Sequence, residues 1–162
     1  MEIQPRFVER EKILLVGICE YGAFFESGGI PQIWDRFIPA MNDIPNRVNP
    51  YQSFGLEFYP AEFFSQEQKK WNYMAAIEVS SLDDIPMAMV GKTIPPHLYA
   101  VFTHRGAAMT LSHTFQTIFD EWFPQSDYNP AGFFDFELYD ERYNPNDDSL
   151  SEIDIYIPVQ KK

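Results

Sequence analysis

The sequence predicts an α+β fold: duplicated β-α-β-β modules with pseudo-two-fold symmetry, sharing an antiparallel sheet with a central groove. Three observations predict it. The chain repeats its own segments in the same order. Its extended segments alternate apolar and polar side chains. Each half carries one Pro-marked amphipathic segment.

The repeat is read directly. "IWDRFIP" (Ile33 to Pro39) matches "IFDEWFP" (Ile118 to Pro124), and "FGLEFY" (Phe54 to Tyr59) matches "FDFELY" (Phe134 to Tyr139). "AAIEV" from Ala75 falls on "IYIPV" from Ile155, and "LLVGICEYG" from Leu14 falls on "LYAVFTHRG" from Leu98. Two copies are too few for a solenoid, so they are expected to pack as a pair. The halves run approximately over residues 5–80 and 86–160 of one domain, 1–162. No low-complexity linker divides them, so one continuous sheet or core is expected.

Each half begins with a strand, over Val8 to Tyr21 and over Met87 to His104, the latter with a potential break at Pro95-Pro96. A helix follows. Ile33, Trp34, Phe37, Ile38 and Met41 recur at helical spacing in the first copy; Leu111, Phe115, Ile118, Phe119 and Trp122 do so in the second. Pro31, after Gly28-Gly29, fits a first helical turn. Pro39 and Pro124 mark the helix ends. Strands over Phe54 to Tyr59 and Trp71 to Val79 complete the first half. Strands over Phe133 to Tyr139 and Glu152 to Val159 complete the second. Turn-rich segments such as "NPNDDS" separate them.

Composition narrows the function. Acidic residues outnumber basic ones 24 to 12, a net charge of −12. That balance disfavours nucleic-acid binding and gathers cations, although it also serves solubility alone. With 15 Phe, 9 Tyr and 3 Trp, the chain can both fill a core and line an apolar pocket. Cys19 is the only cysteine, which excludes a disulfide framework and suits a core position. The N-terminal stretch lacks an apolar signal region, and no apolar run reaches the ~20 residues a membrane span needs. A cytoplasmic protein without membrane attachment is expected. His97, His104 and His113 form no metal-ligand pattern, and no nucleophile elbow, P-loop or dinucleotide fingerprint occurs. No metal or cofactor is expected. "ESGGIP" and "HRGAAM", equivalent in the two copies, read as structural lead-ins to helices.

Strand parity selects the candidate site. Side chains alternate between faces, so Phe134, Phe136 and Leu138 oppose Asp135, Glu137 and Tyr139. Phe54, Leu56 and Phe58 oppose Gly55, Glu57 and Tyr59, and Ile153, Ile155 and Ile157 oppose Asp154 and Tyr156. The apolar sets are expected to cover the helix stripes. The other face then carries Glu137, Tyr139, Tyr156, Glu57 and Tyr59. Two readings stay open: a flat solvated face, or a groove whose carboxylate attracts a lipophilic cation between aromatic walls. Trp71 shares parity with Tyr73 and Ala75 and so points to the core side. It begins its strand, where alternation is weakest, and its repeat partner is Ser151; it is a further pocket candidate. Trp34 and Trp122 fall on helical stripes and read as core.

"YAVFTHRG", "IFDEWFPQSDY", "FELYD", "SEIDIYIPV" and the opening "PRFVEREKILLVGI" resemble, in that order, the GyrI-like or AraC-type effector-binding domain of bacterial multidrug-sensing regulators. The resemblance covers about the whole chain. It implies a groove for bulky, often cationic, apolar compounds, with the penultimate-strand glutamate, here Glu137, contacting the ligand; Glu57 is its counterpart by the repeat. Unlike the regulators, the chain shows no helix-turn-helix segment, which argues against a transcription factor acting alone. The leading expectation is a small-molecule binder with no direct nucleic-acid contact and room for a protein partner. One alternative is a hydrolase of cyclopropane-bearing genotoxins using Glu137. Another is an acidic protein-interaction module such as a gyrase modulator.

Overall fold

Nine strands form among the described residues, and their order explains the sheet's shape. The computed structural model describes residues 3–162, so the first two residues of the expected domain lie outside it. The strands are β1 (Arg6–Arg10), β2 (Ile13–Gly22), β3 (Ser53–Phe58), β4 (Trp71–Val79), β5 (Val90–Ile94), β6 (His97–Arg105), β7 (Tyr128–Pro130), β8 (Phe134–Tyr139) and β9 (Glu152–Lys161). Eight pair antiparallel in the order β1-β6-β9-β8-β3-β4-β2-β5, and β7 adds to β9. The order is symmetric about the β3–β8 pair, which joins the two halves into the continuous sheet expected.

Each long first strand of the sequence reading is two strands. Glu11-Lys12 separates β1 from β2, and Pro95-Pro96 separates β5 from β6. Each leading strand pairs with the other half: β1 with β6, and β5 with β2. These links also force curvature. A two-residue connection spans about 10 Å. In a flat sheet β5 and β6 would stand six strand spacings apart, about 29 Å. The sheet therefore curls until its two ends approach. Arg10, on edge strand β1, accordingly places its guanidinium 5.9 Å from the Phe54 and Phe136 ring centroids at the sheet centre.

The helices cover one face. Gly28 and Gly29 take positive φ and turn the chain into α2 (Ile30–Ala40), with Pro31 in its first turn; α1 (Phe24–Ser27) precedes them. Ile33 and Phe37 of α2 pack on Val16, Tyr73, Ala75 and Ile77. In the second half α3 (Leu111–Thr117) continues through a π-helical turn, Ile118–Trp122, into α4 (Phe123–Gln125). The wide turn shifts the helical phase, so Phe123 is buried while Phe119 of the expected stripe is exposed. This segment packs on Phe102, Ile153, Ile155 and Ile157.

The expected covering of the helix stripes is corrected here. Ile153, Ile155 and Ile157 do lie beneath a helix. Phe54, Leu56, Phe136 and Leu138 lie on the opposite face, in a core shared with Ile13, Leu15, Met74, Tyr99 and Tyr156. Curling encloses that face without helices. Parity is an internal property of a strand and cannot say which face a helix will cover.

Candidate functional site

The two repeated glutamates meet on the helix side of the sheet, at the seam between the halves. β3 and β8 pair so that Gly55 faces Glu137 and Glu57 faces Asp135. Directly paired residues share a face, so all three carboxyl groups point the same way. Glu137 and Asp135 are 5% and 3% exposed; Glu57 is half-buried.

Glu137 is held by neutral donors. The Tyr139 hydroxyl donates to its Oε2 at 2.7 Å and the Tyr73 hydroxyl at 3.2 Å. Trp34 Nε1 of α2 donates in turn to Tyr73 Oη at 2.9 Å. The Trp34 and Tyr139 rings meet edge-to-face at 5.3 Å, bridging the two helix-side cores. Gly55 supplies the space: a Cβ there would stand 2.3 Å from Tyr73 Oη and 2.7 Å from Glu137 Oε2.

Glu57 and Asp135 share one phenol. Tyr59 Oη lies 2.9 Å from Asp135 Oδ2 and 3.3 Å from Glu57 Oε2. A single hydroxyl proton serves one acceptor, so both contacts are satisfied when Tyr59 donates to Asp135 and accepts from a protonated Glu57. Trp71, 2% exposed, turns its indole N–H toward Glu57 without closing a hydrogen bond, and Asp135 Oδ1 is likewise unpartnered. Phe24, Phe25 and Phe63 surround the Trp71 ring at 4.5–6.1 Å.

Among the described residues no Lys, Arg or His pairs with these three carboxyl groups. Burial therefore acts unopposed by cations. It raises the Glu57 carboxyl well above the usual range, with Asp135 and Glu137 adding to the effect. It pushes Asp135 up to about 8, against the Tyr59 hydrogen bond. Burial raises Glu137 too, but the Tyr139 and Tyr73 hydroxyls work against it. Glu137, with two donors on one oxygen, is the best-prepared carboxylate. No group of three or more His, Cys, Asp or Glu among the described residues is arranged to hold a metal ion. Nor is any described helix long and apolar enough to cross a membrane.

Of the residues singled out from sequence, Glu137, Tyr139, Glu57, Tyr59 and Trp71 come together on this face. Tyr156 does not, and its assignment is corrected. It pairs with Phe136 across β8 and β9 and stacks on that ring at 4.6 Å, on the opposite face. The apolar residues of β8 and β9 face opposite sides of the sheet, so the β8–β9 register, and not parity within β9, places Tyr156. Tyr73, Trp34, Asp135 and Gly55 were not singled out. Tyr73 shares the parity of Trp71, and Asp135 that of Glu137, so both signals were present. Trp34 sits on the apolar stripe of its helix, where nothing in the sequence separates a core indole from a donor.

A profile of the GyrI-like small molecule binding domain matches residues 3–160. The transcriptional regulator BrlR of Pseudomonas aeruginosa is 34% identical over 157 residues, 97% of this chain and 56% of that protein. The chain thus spans about half the length of that regulator. Among solved structures, SAV2435 bound to tetraphenylphosphonium superposes with a TM-score of 0.74 at 20% identity, covering 99% of this chain and 94% of that one. The EcmrR C-terminal domain gives 0.71 at 16% identity, with both chains fully covered. At such identities the two structures establish the shared fold: a large antiparallel sheet with few helices. With the family match over nearly its whole length, the chain belongs to the GyrI-like small-molecule-binding domain family.

Proposed function

We propose that the chain binds lipophilic organic cations on the helix side of its sheet, with Glu137 as the electrostatic anchor. One observation carries this reading: a buried carboxylate, ringed by aromatic side chains, accepts only neutral donors and has no basic partner among the described residues. A desolvated carboxylate in that state is costly, and a cation with an apolar coat relieves the cost while the rings add cation–π attraction. Tyr139 and Tyr73 orient the anchor. Tyr59 and Trp71 form the wall beside Glu57. The tetraphenylphosphonium held by SAV2435 is a ligand of this chemistry and supports the choice of probe. The net charge of −12 adds long-range attraction and works against direct duplex DNA binding.

Titration with tetraphenylphosphonium tests the reading. Glu137→Gln keeps the shape and removes the charge, and a charge-assisted contact contributes about 1.5–3 kcal/mol. The cation should bind roughly ten- to a hundred-fold more weakly to the variant. Equal loss for neutral triphenylphosphine oxide would mean a packing defect. No loss for either ligand would remove Glu137 from the site.

A second reading, hydrolysis of cyclopropane-bearing alkylators, has one observation in its favour. The Asp135 carboxyl, pushed up to about 8 by burial, retains its proton near neutral pH, as a general acid requires, and burial raises Glu57 as well. Formation of a ring-opened product by the pure protein distinguishes turnover from binding.

A further inference from the structure

We propose that the site exchanges protons for its ligand: one bound lipophilic cation expels about one proton from the Glu57–Asp135 pair. The inference rests on the cation-binding reading and adds a regulation that this reading does not require.

The geometry dictates the exchange. Three carboxyl groups, Glu57, Asp135 and Glu137, share one face of the β3–β8 pair. The groups facing them are Tyr59 after β3, Tyr73 and Trp71 of β4, Tyr139 of β8 and Trp34 of α2; Tyr143 touches Tyr139 from behind. None of these carries positive charge at neutral pH. Without a counter-cation the pair can be neutralised only by protons, and the shared Tyr59 hydroxyl already calls for one on Glu57. Two further buried atoms lack a partner in this arrangement. The indole N–H of Trp71 is unpartnered though 2% exposed, and so is Oδ1 of Asp135. An ionised Glu57 would attract the Trp71 donor, and an ionised Asp135 would leave Oδ1 free to face a cation.

The charges balance. The cation brings one positive charge, the O–H bond of one carboxylic acid breaks, and its proton passes to solvent, leaving the net charge of the site unchanged. The raised carboxyl of Asp135, about 8, puts the exchange within the physiological range. Below that value deprotonation opposes binding, so affinity should rise about tenfold from pH 6 to pH 7 and level off above pH 8.

Calorimetric titration of the whole chain with tetraphenylphosphonium, in phosphate and in Tris at pH 7, counts the protons. Buffers of different ionisation enthalpy should report about one proton released per cation, because the bound cation takes over the neutralising role. Asp135→Asn should reduce that release and flatten the pH dependence. Glu137→Gln should weaken binding and lower the release less than Asp135→Asn does, because burial and not Glu137 is the main cause of the raised Asp135 carboxyl. Binding with no release, and with affinity constant from pH 6 to 8, overturns the exchange and leaves the cation-binding reading standing. No binding at any pH overturns both.

Discussion

Two buried carboxylate sites stand on opposite faces of the same sheet, and their surroundings are reversed. Asp154 of β9, 1% exposed, receives Arg142 Nη2 at 2.6 Å, Arg6 Nη2 at 2.7 Å and the Thr103 hydroxyl at 2.7 Å. Asp135 and Glu137 of β8 receive only phenols. The electrostatic consequences differ in sign. Burial tends to raise Asp154, but its guanidinium and hydroxyl partners outweigh burial and hold it below the usual carboxylate range. Burial prevails at Asp135. The comparison teaches how to separate a structural acid from a receptive one. A buried carboxylate whose counter-charge is built into the chain is complete, and one whose counter-charge is missing awaits a proton or a ligand.

The largest effect should come from breaking the complete site. Arg142→Met removes one of the two guanidinium partners of Asp154, together with ion pairs to Asp140 and Glu152. Stability should fall by on the order of 3 kcal/mol in urea unfolding. Tetraphenylphosphonium affinity should hold, and a parallel loss of affinity would show that the two faces are not independent.

Gly55→Ala attacks the receptive site through packing. Its methyl group would press on Tyr73 and Glu137, so stability should drop by about 1–3 kcal/mol and cation binding should weaken with it. Unchanged binding would show that the Tyr73–Glu137 contact does not shape the pocket.

The smallest effect, within about 1 kcal/mol, is expected of Asp135→Asn below about pH 4, where Asp135 is protonated in both folded and unfolded chains and the amide resembles the acid. Its signature is the pH profile. Asp135 has a folded pKa of about 8, above its unfolded value of about 3.9. Its contribution to stability is therefore full below about pH 4 and is lost as pH rises through about 8. Asp154, held low, contributes above about pH 4 and is lost on acidification. Wild-type stability should thus decline from about pH 5 to pH 8. Asp135→Asn should flatten that decline and leave the acid limb untouched. An unchanged decline would assign it to other groups.

Much was legible before any coordinates. The repeat and the period-two alternation determined the principal strands and the shared face of Glu57, Tyr59, Glu137 and Tyr139, because these follow from local backbone geometry and from covalent order. Trp71 to Val79 is a strand as read, and Pro31 begins its helix. Tertiary structure alone decided the rest. Curling brought β1 and β5 across to the opposite halves and enclosed the Phe54–Phe136 face, which freed the helices to cover the glutamates. The β8–β9 register placed Tyr156 beside Phe136, away from Glu137. The packing of α2 brought Trp34 to Tyr73. Parity is set within a strand, whereas the covering of a face and the pairing of strands depend on contacts between residues far apart in the chain, which no local pattern encodes.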